Sequence, residues 1–345
     1  MNAAAPLQPG ARALVTGGGG FLGRAIAERL IARGVRVRSL SRGAHPELAA
    51  LGVERVQADI ADARAVAAGC RDCDVVFHVA AKAGVWGPRA EYFRANVEGT
   101  RNVIAGCRAA GCRRLVFTSS PSVVFNGADL EGVDESIPYA ERFAAAYPET
   151  KAIAEREALA ANGPDLAAVA LRPHLIWGPG DNHLVPRIVA RGRAGRLRRV
   201  GDGTNRVDTT YIDDAAEAHL LAADRLAPGS PIAGRAYFIT QGDPRPLWEI
   251  VDMILNAAGL PPVRRAISAR AAYRAGAALE FVYRALRIKS EPPMTRFVAR
   301  ELAASHWFDI SAARRDLGCA PKVTIEEGMS RLAQSLRGDD RNRRP

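Results

Sequence analysis

Tyr147 and Lys151 stand four residues apart in Tyr147-Pro148-Glu149-Thr150-Lys151. In a helix, positions i and i+4 share a face, so both side chains would point into one space. Pro148 suits a first helical turn, where no N–H is needed. A phenol with an ordinary pKa of about 10 is a poor acid–base group at neutral pH. A neighbouring ammonium favours the phenolate and should pull that pKa down. Lysine is scarce here, found only at Lys82, Lys151, Lys289 and Lys322, so its place beside Tyr147 adds weight. The chemistry indicated is proton transfer at a carbonyl or an alcohol. The bland alternative is a surface tyrosine and lysine.

A second chemical signal lies near the start. Ala13-Leu-Val-Thr-Gly17-Gly18-Gly19-Gly20-Phe21-Leu22-Gly23 places Gly17, Gly20 and Gly23 at G-x-x-G-x-x-G spacing. Such spacing allows a tight turn, close approach of a pyrophosphate and close helix–strand packing. The following helix offers free N–H groups and a positive dipole end to the phosphates. Gly17, Gly20, Phe21, Leu22 and Gly23 are therefore assigned to a dinucleotide cofactor. Through the end of the second strand the chain reads Arg36-Val-Arg38-Ser39-Leu40-Ser41-Arg42, with no acid for a ribose 2′-hydroxyl. Ser41 and Arg42 suit a 2′-phosphate instead, so NADP(H) is expected in preference to NAD(H). Asp59, followed by Ile60, is placed to touch the adenine; a helix-capping aspartate is the equal alternative.

These residues need a frame, and the first half supplies one. Strands are expected at Arg12–Thr16, Val35–Leu40, Val53–Gln57, Asp74–Val79, Arg113–Ser119 and Leu166–Leu171. Helices are expected between them at Phe21–Arg33, Asp62–Ala68, Ala90–Ala110 and Pro148–Asn162. Short apolar strands alternating with helices mean an α/β fold, a Rossmann-type doubly wound parallel sheet. After Pro173 the rhythm changes. Helices are expected at Val185–Ala194, Asp213–Arg225, Leu247–Ala258 and Ala269–Ala285, the last with Ser268 as its N-cap, and a strand at Arg235–Ile239. The division read from this is a nucleotide-binding lobe over 1–184 with contributions from about 207–240, a substrate lobe mainly over 185–330, and a basic tail over 331–345.

Composition narrows the class. Of 345 residues 48% are apolar and 25% charged, so the chain can bury a full core and is no disordered or fibrous sequence. No apolar run approaches the ~18–20 residues of a membrane span, and Met1–Gly10 has no secretory h-region, so a cytoplasmic protein without an integral membrane segment is expected. The charge of +11 is almost all arginine and lacks the aromatic interleaving of a nucleic-acid site, so nucleic acid is not an expected partner. Cys70-Arg-Asp-Cys73 has the spacing of a redox or zinc pair, but no second pair or His-x3-5-His stands at zinc-finger spacing, so no metal is assigned.

Together these pieces resemble the extended short-chain dehydrogenase/reductases, in their 3β-hydroxysteroid dehydrogenase-like branch, over nearly the whole chain. The resemblance is carried by Gly17–Gly23, His78-Val-Ala-Ala81, Asn96-Val-Glu-Gly-Thr100, Thr118-Ser119-Ser120, Tyr147…Lys151, Leu171-Arg-Pro173…Trp177-Gly-Pro-Gly180 and Tyr211-Ile-Asp-Asp214. It implies that Tyr147 gives its proton to a carbonyl oxygen, that Ser120 holds that carbonyl, and that Lys151 bonds the nicotinamide ribose and holds the Tyr147 pKa low. Asn96 aligns with the family's fourth active-site member, against a helix-packing alternative. Ala80 and Ala81 would line the nucleotide floor, and Pro173 and Leu175 the nicotinamide side. Dehydrating members carry an acid after the strand-end Ser or Thr; here Pro121 and Ser122 follow Ser120, so dehydration is not expected.

Three segments, His78–Trp86, Leu175–His183 and Glu291–Phe297, resemble bacterial branch members that reduce 2-alkyl-3-oxoalkanoic acids in long-chain olefin synthesis. The expected substrate is then a hydrophobic oxo acid. Ser122, His174, His183 and Arg187 are candidates to meet it, the last three at its carboxylate. Tyr273, Leu279, Phe281, Val282 and Leu286 are candidates for an apolar wall, unless that helix rests on a membrane surface or a partner enzyme. A homodimer through helices 90–110 and 148–162, and association with other pathway enzymes, would fit the family. The alternatives are a 3β-hydroxysteroid or sterol dehydrogenase, and a non-catalytic dinucleotide sensor, which would be free to lose Tyr147 or Lys151.

Overall fold

A computed structural model describes residues 6–342, with side chains to residue 338. Seven strands form the main sheet: β1 (Arg12–Thr16), β2 (Arg36–Ser41), β3 (Glu54–Gln57), β4 (Val75–His78), β5 (Arg114–Thr118), β6 (Ala167–Pro173) and β7 (Ala236–Ile239). Their order is β7-β6-β5-β4-β1-β2-β3, and every pairing is parallel. Leu14, Val15, Val76, Phe77, Leu115, Val116 and Val169 are wholly buried, as expected where helices cover both faces. The order reverses at β1, between β2 and β4, so a crevice for a ligand opens beyond the carboxyl ends of β1 and β4.

The expected helix over 90–110 is one continuous rod with three geometries. An α-turn at Arg89–Tyr92 passes into a π-helical stretch at Phe93–Glu98, then into an α-helix at Gly99–Ala110. The Tyr-Lys pair lies in the first turns of the Ala146–Ala160 helix. Ser268 caps the Ala269–Ala285 helix, its hydroxyl accepting from the Ala271 N–H.

A smaller sheet stands over the carboxyl edge: Arg245–Pro246, Arg206–Val207, His306–Phe308 and Leu130–Val133. Leu130–Val133, expected within the first lobe, pairs in it with His306–Phe308. The supposed basic tail is mostly a helix, Ile325–Asn342. Ile325, Met329 and Leu332 are buried along one stripe, and Arg331 pairs with Asp213 and Glu327. Arg343 and Arg344 lie outside the described residues. No helix among the described residues is long and apolar enough to cross a membrane. All five cysteines are buried and unbridged, and among the described residues no group of three ligating side chains could hold a metal.

Candidate active site

The glycine loop leaves β1 and turns into the Phe21–Ala32 helix. Gly17 has φ +71°, and a Cβ there would meet the Ala80 backbone at 3.0 Å. A Cβ on Gly23 would collide with the Gly17 carbonyl. That carbonyl accepts the Gly20 N–H at 2.9 Å and closes the turn. Gly20 is the N-cap and offers no side-chain bond to the helix, so the first N–H groups face outward. Below the loop, Thr16 Oγ1 lies 2.9 Å from His78 Nδ1, and His78 Nε2 lies 2.9 Å from Thr100 Oγ1. Thr16 also accepts the Val79 and Ala80 N–H groups. This buried chain ties β1, β4 and the next helix into one floor.

Beside the loop opens a cleft of about 600 Å³, lined by Gly17, Gly20, Ser41, Arg42, Asp59, Ile60, Ala80 and Ala81 among others. Bare glycine backbone, an uncapped helix end and this cleft fit a dinucleotide. Phe21 and Leu22 form the helix's first turn, Leu22 turned into the core. No acid stands at the end of β2, and the exposed Arg42 guanidinium enters no ion pair among the described residues. Asp59 lines this cleft, but the cap of the helix that follows is Asp62. One Asp59 oxygen accepts the Ala61 N–H at 2.9 Å, and the other meets Arg94 across the cleft wall at 3.0 Å.

Across the carboxyl edge lie the reacting groups. Ser120 follows β5, its hydroxyl close enough to the Tyr147 phenol to favour the phenolate. Lys151 Nζ donates to the Thr118 carbonyl at 2.6 Å and sits 4.2 Å from the Phe117 ring centre. Burial lowers Lys151 to about 7, against the opposing charge of Glu155. The Tyr147 pKa departs from expectation. Burial pushes it up to about 12, the Ser120 hydroxyl only partly offsets this, and the Glu301 carboxyl adds to it. Desolvation of the phenolate outweighs the lysine, whose own charge is committed to the Thr118 carbonyl. Tyr147 is thus a neutral proton donor at pH 7.

Asn96 sits in the π-helical stretch. Its Oδ1 accepts the Lys82 N–H at 2.7 Å, and its Nδ2 donates to the Lys82 carbonyl and to Thr150 Oγ1. It braces the loop after β4 against the Tyr147 helix; π-turns often mark such sites. Pro173 ends β6, and Leu175 follows in the left-handed region at φ +43°, strain of the kind found beside ligands.

The expected carboxylate ligands do not converge. His174 is buried, with Nδ1 bonded to the Asp208 carbonyl and its ring against His306 and Phe308. Arg187 is paired with Glu291 at 2.7 Å. His183 is exposed at the start of the Leu184–Arg193 helix. Ser122 does lie beside Ser120, its hydroxyl buried and without a partner. The apolar wall is likewise different. Phe281, Val282 and Leu286 face outward. A groove of about 740 Å³ runs along Ala145 and Ala146, the residues just before Tyr147; Val85, Trp86, Phe143, Tyr283, Ile288 and Phe297 line it together with charged residues, Lys82, Arg89, Glu149, Glu280 and Arg284 among them. Neither this groove nor one of about 900 Å³ under the final helix is lined by Tyr147, Ser120 or Lys151. Asp214 is structural: it accepts the Lys322 and Val323 N–H groups and the Gln241 amide. Asp213 pairs with Arg29 and Arg331.

Comparison with known proteins agrees with this geometry. The profile of the 3-beta hydroxysteroid dehydrogenase/isomerase family matches residues 14–268. A 2-alkyl-3-oxoalkanoate reductase of Stenotrophomonas maltophilia is 53% identical over 324 residues, 93% of this chain and 98% of that protein. One from Shewanella oneidensis is 52% identical over 332 residues, 94% of this chain and 86% of that protein. Among solved structures, MoeE5 in complex with UDP-glucose and NAD superposes with a TM-score of 0.74 at 26% identity, covering 95% of this chain and 99% of that one.

Proposed function

The chain belongs to the 3-beta hydroxysteroid dehydrogenase/isomerase family, and we propose that within it this enzyme is the NADPH-dependent reductase of a 2-alkyl-3-oxoalkanoic acid, forming the 3-hydroxy acid for long-chain olefin synthesis. Its membership makes it a nicotinamide-dependent oxidoreductase. The observation that carries the reaction type is the Tyr147 phenol, kept neutral by burial, with Ser120 beside it and Lys151 one helical turn on. The two relatives at 53% and 52% identity support the substrate class.

When bound, the reduced nicotinamide supplies a hydride to the carbonyl carbon. Ser120 holds the carbonyl oxygen, and Tyr147 donates the phenolic proton to it as charge develops. Lys151, anchored by Thr118, is the residue that would meet a ribose hydroxyl. The 740 Å³ groove receives the alkyl arms against Trp86, Phe143 and Phe297. Ser41 and Arg42 take the 2′-phosphate, and the outward faces of the helices at Gly99–Ala110 and Ala146–Ala160, tied by Arg101 and Glu157, offer a four-helix contact to a second copy.

The test is NADPH oxidation with 2-alkyl-3-oxo acids and 3-oxosteroids in parallel, repeated with NADH. Turnover of the oxo acids with NADPH is expected. No turnover of any oxo acid refutes the substrate, and equal rates with NADH refute the cofactor preference.

A further inference from the structure

A surface helix of a globular protein turns its apolar residues inward and its polar ones to water. The Ala269–Ala285 helix departs from this. Its inner face carries Ala272, Gly276 and Glu280, all buried. A Cβ on Gly276 would meet the Thr295 backbone at 2.7 Å, and Glu280 accepts the Arg296 N–H at 2.7 Å and pairs with its guanidinium at 2.8 Å. The helix is firmly seated, and its outer face is left apolar. Phe281, Val282 and Leu286 are 73%, 43% and 67% exposed, the only large apolar side chains so exposed among the described residues. Ala271, Ala275, Ala278 and Ala285 are exposed too, and at helical spacing they carry the stripe along the whole helix. Contiguous exposed apolar surface marks a place of contact.

The charge around the stripe selects what it contacts. From Arg264 to Lys289 the chain holds seven cations and a single acid, Glu280. That acid is buried and spent on Arg296. Arg270 and Arg274 are exposed on the helix itself, and Arg287 and Lys289 just past its end. A second copy would set these cations against their own kind, and a convex helical ridge offers no groove to a peptide. A bilayer of anionic lipid meets both demands, with an acyl boundary for the apolar side chains and phosphates for the arginines. The other flank of the helix faces the groove of about 740 Å³. Tyr283, Arg284 and Ile288 line that groove, and the Tyr283 ring meets Trp86 edge-on at 6.1 Å. One element thus forms both the ridge and the lip of the groove.

We propose that this helix docks the enzyme on an anionic lipid surface, with Phe281, Val282 and Leu286 entering the acyl boundary, so that the groove opens at the membrane and takes a long-chain substrate from it. The helix lies along the interface and does not cross it. The docking stands on the exposed face alone; the delivery of substrate rests on the oxo-acid reading above.

The test is co-sedimentation of the full chain with vesicles of phosphatidylglycerol and phosphatidylcholine, and with vesicles of phosphatidylcholine alone. Binding to the anionic vesicles should be at least about tenfold tighter than to the neutral ones. Phe281→Ser, Val282→Ser and Leu286→Ser together should weaken it at least about tenfold. Tm and turnover of a short-chain, water-soluble oxo acid should stay unchanged in that variant, since the three side chains face solvent. Turnover of a long-chain oxo acid carried in the vesicles should fall with the binding. Arg270→Gln with Arg274→Gln should weaken anionic binding at least about fivefold and reduce its salt dependence. Phe281→Trp gives a reading that does not depend on the serine variant folding: its indole emission should shift to the blue on anionic vesicles and not on neutral ones. No binding to anionic vesicles, equal binding to neutral ones, or unchanged binding in the serine variant overturns the inference. A parent dimer that the serine variant loses assigns the face to a second copy and overturns it as well. If vesicles bind and no oxo acid is turned over in any form, the docking stands, and the substrate reading and the delivery fall together.

Discussion

Glu155→Gln tests how the fold supports the reacting lysine. Glu155 is fully buried and Arg172 nearly so. Three N–H···O contacts at 2.6, 3.0 and 3.2 Å join them, and Tyr139 donates its hydroxyl to the same carboxylate at 2.7 Å. Arg172 also lies over the Tyr139 and Phe238 rings. An amide leaves the guanidinium buried without a counter-charge, a loss of about 3–5 kcal/mol. Unfolding entropy of about 2.1 cal/mol/K per residue gives roughly 0.7 kcal/mol/K for 345 residues. The expected fall in Tm is then about 4–7 °C, read by calorimetry or dye-based melting. Adding Arg172→Met should restore most of it, because an apolar pair avoids the desolvation cost. A single variant within about 1 °C of the parent, or a double variant no better than the single, would refute the reasoning. Activity carries a second signature. Glu155 raises the Lys151 pKa, so its removal should drop Lys151 further below about 7 and move the alkaline limb of the kcat/KM profile, where the ammonium is lost, to lower pH.

Three further outcomes are expected. Tyr147→Phe should lower kcat by about 10²–10⁴-fold in single-turnover assays, with NADPH binding by fluorescence unchanged. Arg42→Ala should weaken NADPH by about 1.5–3 kcal/mol through loss of a charged hydrogen bond and leave NADH alone; equal losses for both would show that Arg42 does not read the 2′-phosphate. Gly23→Ala drives a methyl into the Gly17 carbonyl; isothermal titration should show both cofactors weakened by about 1–3 kcal/mol, the usual cost of forced overpacking.

Local signals in the sequence carried the parts that chemistry constrains locally. The glycine spacing, the Tyr147–Lys151 interval and the strand–helix rhythm each depend on neighbours a few residues apart. What escaped depends on partners far along the chain. Leu130–Val133 becomes a strand only because His306–Phe308 lies beside it. The π-helical stretch has no local signature, since Asn96 is turned by the distant Lys82 and Thr150. The substrate ligands went astray because charge in a loop was read as available, whereas Glu291 and the Asp208 carbonyl already hold Arg187 and His174. The final helix did leave a trace: Ile325, Met329, Leu332 and Leu336 keep helical spacing, masked by the arginines around them.

The sheet also has a bearing on how the chain is made. β6 is buried through all seven of its residues, apolar in all but Arg172, and its outer neighbour β7 is synthesised more than sixty residues later. β7 is fastened in turn by Glu135, which accepts the Phe238 N–H, and by Asp316, which holds Arg235 and Tyr237. During vectorial synthesis the glycine loop emerges first, yet the sheet behind it keeps a bare, sticky margin until residues near 316 arrive. A nascent chain released at residue 184 would carry every nucleotide-binding residue named above and still present that margin to its neighbours, so truncation there should yield aggregates rather than a free nucleotide-binding unit.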